Sequence, residues 1–103
     1  MKDGTAESHA RIEREIVKEK AVTLGRAGER LEAALAAVAT LAAAWHAAGG
    51  NGVERVRLAA DYERAWRAAE TARLTLVIQR EAVGVRHHRD VDRHFPVPPR
   101  RLR

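Results

Sequence analysis

The chain has 103 residues, a net charge of +5, 46% hydrophobic but only 4% aromatic residues, and no cysteine. That length suits one domain with one modest core and is too short for a two-lobed enzyme with a cleft between its lobes. Without cysteine there is no disulfide framework, no thiol nucleophile and no Cys-based zinc or iron–sulfur site, so stability must come from packing.

Charge is unevenly placed. Residues 1–85 carry 13 basic and 12 acidic groups, whereas residues 86–103 carry six Arg against Asp90 and Asp92. The basic set is 16 Arg and three Lys, a bias that GC-rich coding produces without selection for binding, so the net charge alone does not point to nucleic acid. Residues 1–20 are dense in charge and lack the apolar run of about 7 to 15 residues that a signal peptide needs. The most apolar stretch, Ala33 to Trp45, is mostly alanine, is interrupted by Thr40, and falls short of the roughly 20 strongly apolar residues that cross a bilayer. The expectation is a cytoplasmic protein without membrane contact.

The first predicted element is a helix over about 6–48. Val17, Leu24, Leu31, Val38 and Trp45 recur every seven residues, with Ala21, Gly28, Leu35 and Ala42 four residues after the first four. At 3.6 residues per turn this draws one apolar stripe along a rod and leaves Glu, Arg and Lys outside. Asp3, Thr5 and Ser8 are all competent N-caps, and pairs such as Glu7 with Arg11 and Arg11 with Glu15 suit the outer face. Gly25 and Gly28 each cost about 1 kcal/mol inside a helix. Gly28 lies on the stripe and suggests close approach of another backbone; Gly25 lies off it and leaves a kink or break at 25–28 open.

The run Gly49-Gly50-Asn51-Gly52 is the turn, because its glycines reach φ > 0. A second helix over about 53–83 follows, with a seam at Leu58, Tyr62, Ala65, Ala69, Ala72, Leu76, Gln79 and Val83, widened by Ala59 and Trp66. The short loop forces the helices antiparallel. Leu74, Leu76, Val77 and Ile78 point several ways around this helix, so something beyond one helix contact must cover them, either the tail or a second copy. Gln79 on the seam suggests a buried polar contact that fixes register. Gly84 should end the helix, and Pro96, Pro98 and Pro99 give the tail an extended course.

The fold class expected is therefore all-α: a long antiparallel helical hairpin over 1–85 with a Pro/Arg-rich tail over 86–103, packed on the hairpin or partly disordered. The hairpin is expected to pair into a homodimeric four-helix arrangement. The packing and dimer residues expected are Leu24, Gly28, Leu31, Leu35, Val38, Trp45, Tyr62, Trp66, Leu76 and Gln79.

Chemistry-bearing constellations are sparse. His87, His88, Asp90, Asp92 and His94 form the only concentration of metal-capable groups, but their spacing fits no zinc motif and the interleaved Arg89 and Arg93 repel a cation. No cofactor or metal is expected. The hydroxyl groups sit in no glycine-flanked elbow, His46 suits the negative end of its helix better than a general base's role, and the glycine turn lacks the Lys-Ser/Thr of a phosphate loop. Pro96 to Arg101 formally fits a P-x-x-P-x-R ligand, a pattern that arises readily by chance. The tail arginines Arg86, Arg89, Arg93, Arg100, Arg101 and Arg103 suit phosphate contacts, although Phe95 is the one stacking aromatic among them.

Leu24-Gly25-Arg26-Ala27-Gly28-Glu29-Arg30-Leu31-Glu32-Ala33-Ala34-Leu35, and Val77-Ile78-Gln79-Arg80-Glu81-Ala82-Val83-Gly84-Val85-Arg86 followed by Phe95-Pro96-Val97-Pro98, resemble a family of small helical proteobacterial proteins. The resemblance covers most of the chain, and its most specific part is the Gln-Arg-Glu-Ala stretch leading to Gly84 and then Val-Pro. It implies no activity and no catalytic residue; it implies that helix exit and tail are a built part of the fold. The functional expectation is a non-enzymatic helical interaction protein that self-associates and binds a protein partner. The alternative is a basic accessory protein that contacts nucleic acid or the ribosome through its tail.

Overall fold

The computed structural model describes residues 2–103, with side chains from Thr5 onward. It contains helices α1 (Lys2–Ala48), α2 (Gly52–Ala82) and α3 (Arg89–His94), and no strand among the described residues. Alanine, Leu, Glu and Arg dominate both long elements, and these are the residues that lose least on entering a helix. α1 is 47 residues long and α2 is 31, which makes the molecule a rod of 77 × 22 × 15 Å.

α1 and α2 pack against each other as an antiparallel hairpin. The reversal takes Gly49 at φ +54°, where a side chain would be strained. Asn51 then caps α2 by accepting from the Glu54 amide at 3.1 Å. Arg55 donates from Nε to the Trp45 carbonyl at 3.3 Å and lays its guanidinium 3.8 Å from that ring, so a cation closes the negative end of α1.

The core follows the predicted stripe. Ala27, Leu31, Leu76 and Val91 form one buried cluster, and Val38, Tyr62 and Ala69 form another. Leu31 and Val38 are fully buried, each contributing about 2 kcal/mol by area transfer. Small residues between them, Ala27, Ala69 and Ala72, let the helices approach closely.

At the far end α2 closes with the Gly84 and Val85 amides donating to the Glu81 and Arg80 carbonyls, each at 3.0 Å, and Gly84 at φ +93°. This is the Schellman arrangement that glycine favours, and it turns the chain back along the hairpin. Val91 from α3 enters the Leu31 cluster, Phe95 packs beside it, and Leu102 reaches the Val38 cluster. The tail thus forms a third wall over the groove between α1 and α2. Of the two alternatives held for it, packed or partly disordered, the structure shows the packed one.

Beyond the hairpin α1 runs on alone. From Thr5 to Thr23 every residue is exposed except the half-buried Ala10. That overhang nevertheless carries Ile12, Ile16, Val17 and Val22, between 44% and 67% exposed.

Several sequence expectations are corrected. α1 begins before Asp3, Thr5 and Ser8, which lie within it; capping side chains compete with helix continuation without forbidding it. α1 is unbroken through Gly25 and Gly28, and nothing lies within 4 Å of a Cβ built on either, so no backbone approaches Gly28. The pairs Glu7–Arg11 and Arg11–Glu15 are not formed, whereas Arg67 meets Glu63 at 3.0 Å in α2; exposed pairs gain too little to hold long side chains in place. α1 is also long and apolar enough to cross a membrane by length and composition: an 18-residue window within Thr5–Ala48 reaches a mean hydropathy of 1.4 with 11% of it buried. The abundant alanines lift that average.

Leu31→Ala should lower stability by about 2–4 kcal/mol, read as a shift of the urea midpoint, while Ile12→Ala should leave it within about 0.5 kcal/mol. Gly25→Ala and Gly28→Ala should each raise stability by roughly 0.5–1 kcal/mol, because the added methyl meets open space, whereas Gly84→Ala should lower it.

Candidate functional site

Four α2 side chains donate to the tail, and two tail side chains, His88 and Arg100, reach back to carboxylates of α2. Arg80 donates from Nη2 to both Asp90 oxygens at 2.8 and 2.9 Å and to the His87 carbonyl at 3.1 Å, and from Nε to His88 Nδ1 at 3.3 Å. With Nδ1 accepting, His88 carries its proton on Nε2, directed at Glu81 Oε1 at 3.2 Å. Two turns earlier on the same face, Arg73 grips Asp92 Oδ1 through Nε and Nη2 at 2.9 and 2.7 Å. Farther along, the Trp66 indole donates to the Pro98 carbonyl at 2.9 Å and the Tyr62 hydroxyl donates to the Pro99 carbonyl. Arg100 comes back over the Trp66 ring at 5.6 Å and reaches Glu63 at 3.6 Å.

These contacts set local protonation. Hydrogen bonding to the Arg80 guanidinium holds the Asp90 carboxyl below the usual aspartate range. Arg67, with Arg100 behind it, does the same to Glu63. Burial raises the Tyr62 hydroxyl above its ordinary value.

Four of the five metal-capable side chains have other partners. Asp90, Asp92 and His88 are bound to α2 arginines, and His94 stacks edge-on to Phe95 at 5.2 Å. Among the described residues no group of three or more His, Asp or Glu side chains is placed to hold a metal ion. The Thr23 and Thr40 hydroxyls donate to carbonyls four residues back in α1, and His46 stacks on Trp45 at 5.1 Å.

Of the packing residues predicted, Leu31, Val38, Tyr62 and Leu76 are buried, and Leu24, Gly28, Leu35, Trp45, Trp66 and Gln79 are half-buried. All of them lie on the hairpin. Gln79 sits at the edge of the seam beside Thr23, Arg26 and Thr75 and leaves no buried polar atom unpaired, so it does not act as a buried register pin. An open hollow of about 420 Å³ lies where α2 ends, lined by Leu24, Gly25, Gly28, Leu76, Val91 and Phe95 among others; the missing side chains at the two glycines leave it open.

Two kinds of surface remain for a partner. The tail arginines Arg86, Arg89, Arg93, Arg100, Arg101 and Arg103 are all exposed, but the tail strings them along the hairpin from the level of Leu76 to that of Trp45. The other surface is apolar: the α1 overhang, and on α2 the pair Leu74 and Ile78, 56% and 55% exposed. Leu76 beside them is buried and Val77 half-buried, so the patch expected around helix two divides between the core and solvent.

The tail clamp escaped sequence reasoning, although its signals were present: Arg73 and Arg80 seven residues apart on one face, Asp90 and Asp92 bracketing Val91, and Val91 with Phe95 at helical spacing. No protein-family model, no curated protein and no solved structure matches this chain.

Tyr62→Phe should release the Pro99 carbonyl at a cost of about 1 kcal/mol, seen as faster amide exchange across residues 96–103. Because the folded Asp90 value is lowered, its contribution is present above the unfolded aspartate value and is lost as pH falls through the folded one. Protection of residues 86–95 should accordingly decline in acid, and Asp90→Asn should weaken it at neutral pH while flattening the decline.

Proposed function

We propose that the protein is a non-enzymatic, cytoplasmic helical interaction module that self-associates in a dimeric four-helix arrangement and binds a protein partner, with the α1 overhang as its contact. One observation carries this reading. Residues 5–23 form a helix that is exposed except at the half-buried Ala10, although Ile12, Ile16 and Val17 on it extend the same stripe that α2 covers farther along. Helices in proteins draw most of their stability from packing an apolar face, and an uncovered face of this kind marks an interaction site. The likeness to small helical proteobacterial proteins belongs to the same proposal.

The second reading, a nucleic-acid or ribosome accessory, is favoured by the exposure of Arg86, Arg89, Arg93, Arg101 and Arg103, none of which makes an ion pair among the described residues. Their spread along the rod weakens it, since phosphate binding gains from concentrated charge.

Co-purification from native cells, with RNase-treated controls, tests the choice. The intact protein should retain its partner after RNase treatment, and Ile12→Asp with Ile16→Asp should lose it while keeping the helical circular dichroism of the parent. Capture that RNase abolishes and the tail arginines control would establish the second reading instead.

A further inference from the structure

Resting on that reading, we infer that the occupant of the α1 overhang is the overhang of a second copy, crossing it antiparallel about a two-fold axis between Ile16 and Val17 at about 50°, an angle that carries residues 5–12 of each copy past the side of the other's α2. The structure shows the need for a cover, and the order of residues shows which cover fits.

On a helix at 100° per residue, Ile12, Glu13, Ile16, Val17 and Lys20 fall within an arc of about 140°. Leu24, Ala27, Leu31 and Val38, which face α2 or the tail in the core, lie in the same arc. The exposed face is thus the continuation of an established helix–helix seam past the end of its partner, and a helix is the shape that continues it. Ile12, Ile16 and Val17 are 57%, 47% and 67% exposed, so nothing within the chain occupies it.

The charges select the helix and its direction. Residues 13–20 read Glu-Arg-Glu-Ile-Val-Lys-Glu-Lys, and reversing the order exchanges every sign. An antiparallel second copy centred between Ile16 and Val17 therefore sets Glu13 of each chain opposite Lys20 of the other, inside the contact arc. The same overlay brings the two Ile16 and two Val17 side chains together around the axis. A parallel pair would instead set Glu13 on Glu13 and Lys20 on Lys20, and like charges so placed repel. Among the described residues no side chain from Glu7 to Lys20 is engaged in an ion pair, so these charges remain available. A two-fold axis requires a self-complementary surface, and this stretch has one. The short overlap makes the complex a weak one.

The test uses the full chain, whose lack of cysteine permits clean placement of single thiols. Sedimentation across a concentration series should show a monomer–dimer equilibrium. Glu13→Lys or Lys20→Glu alone should weaken it about tenfold, two symmetry-related attractions becoming repulsions, and the two together should restore it. Val17→Cys should cross-link to itself on mild oxidation, whereas Glu7→Cys should not, its two copies lying about 28 Å apart along the antiparallel pair. The substituted positions are exposed, and retained circular dichroism verifies the fold. A single-chain mass at every concentration would overturn the inference, as would a dimer abolished by Leu74→Glu with Ile78→Glu but indifferent to the charge swaps, equal cross-linking at both thiol positions, or binding of the overhang to anionic lipid vesicles without self-association. A monomeric purified chain that still retains a partner through Ile12 and Ile16 in native cells would leave the broader interaction reading standing while removing this one.

Discussion

Two helices share only one line of contact, and every other feature of this protein answers to that geometric shortage. A stripe of Leu and Val on α1 meets a stripe of Ala, Leu and Tyr on α2, and the groove beside the seam stays open to water unless a third element lies in it. The tail is that element. Its side chains Val91, Phe95 and Leu102 enter the two clusters that the helices begin, and the peptide carbonyls of its proline segment are taken up by the indole and phenol that line the groove. Proline suits this position because a segment that cannot complete a helix offers its carbonyls to outside donors. The arginines of α2 play the corresponding part for α3, gripping it by its two aspartates.

This division of labour explains how a chain with four aromatic residues folds without cysteine. The aromatic residues are spent where they join elements: Tyr62 and Trp66 on the tail, Trp45 under Arg55 at the turn, Phe95 against the Leu31 cluster. Alanine fills the seam elsewhere. The covering stops where α2 stops, and α1 does not. The additional turns carry exposed aliphatic residues and a charge order that inverts in sign when read backwards.

How much of this was legible in the sequence depended on the range of the interaction. The seven-residue recurrence from Val17 to Trp45, the Gly49 turn and the Gly84 stop are local patterns, and each corresponds to an observed element or boundary. Local competition was less transparent: Asp3, Thr5 and Ser8 have the chemistry of caps and are bypassed, while Asn51, inside the glycine turn, is the residue that caps. The tail attachments were out of reach, because Trp66 to Pro98 and Tyr62 to Pro99 connect positions more than 30 residues apart and nothing in their neighbourhood announces the partner. The histidine and aspartate cluster is set aside as a metal site by its spacing and its interleaved arginines, but what Asp90 and Asp92 do instead depends on the distant Arg80 and Arg73 that hold them.

The continuity of α1 through Gly25 and Gly28 has a mechanical side. Because one unbroken helix carries both the seam against α2 and the aliphatic face near its beginning, the two are locked in phase as marks on a single shaft. One residue gained or lost between Val17 and Leu24 would rotate the one about 100° relative to the other, while seven would shift it along the axis by about 10 Å with its bearing almost unchanged. Evolution can thus tune the reach of this arm in heptads, but its aim tolerates no smaller step.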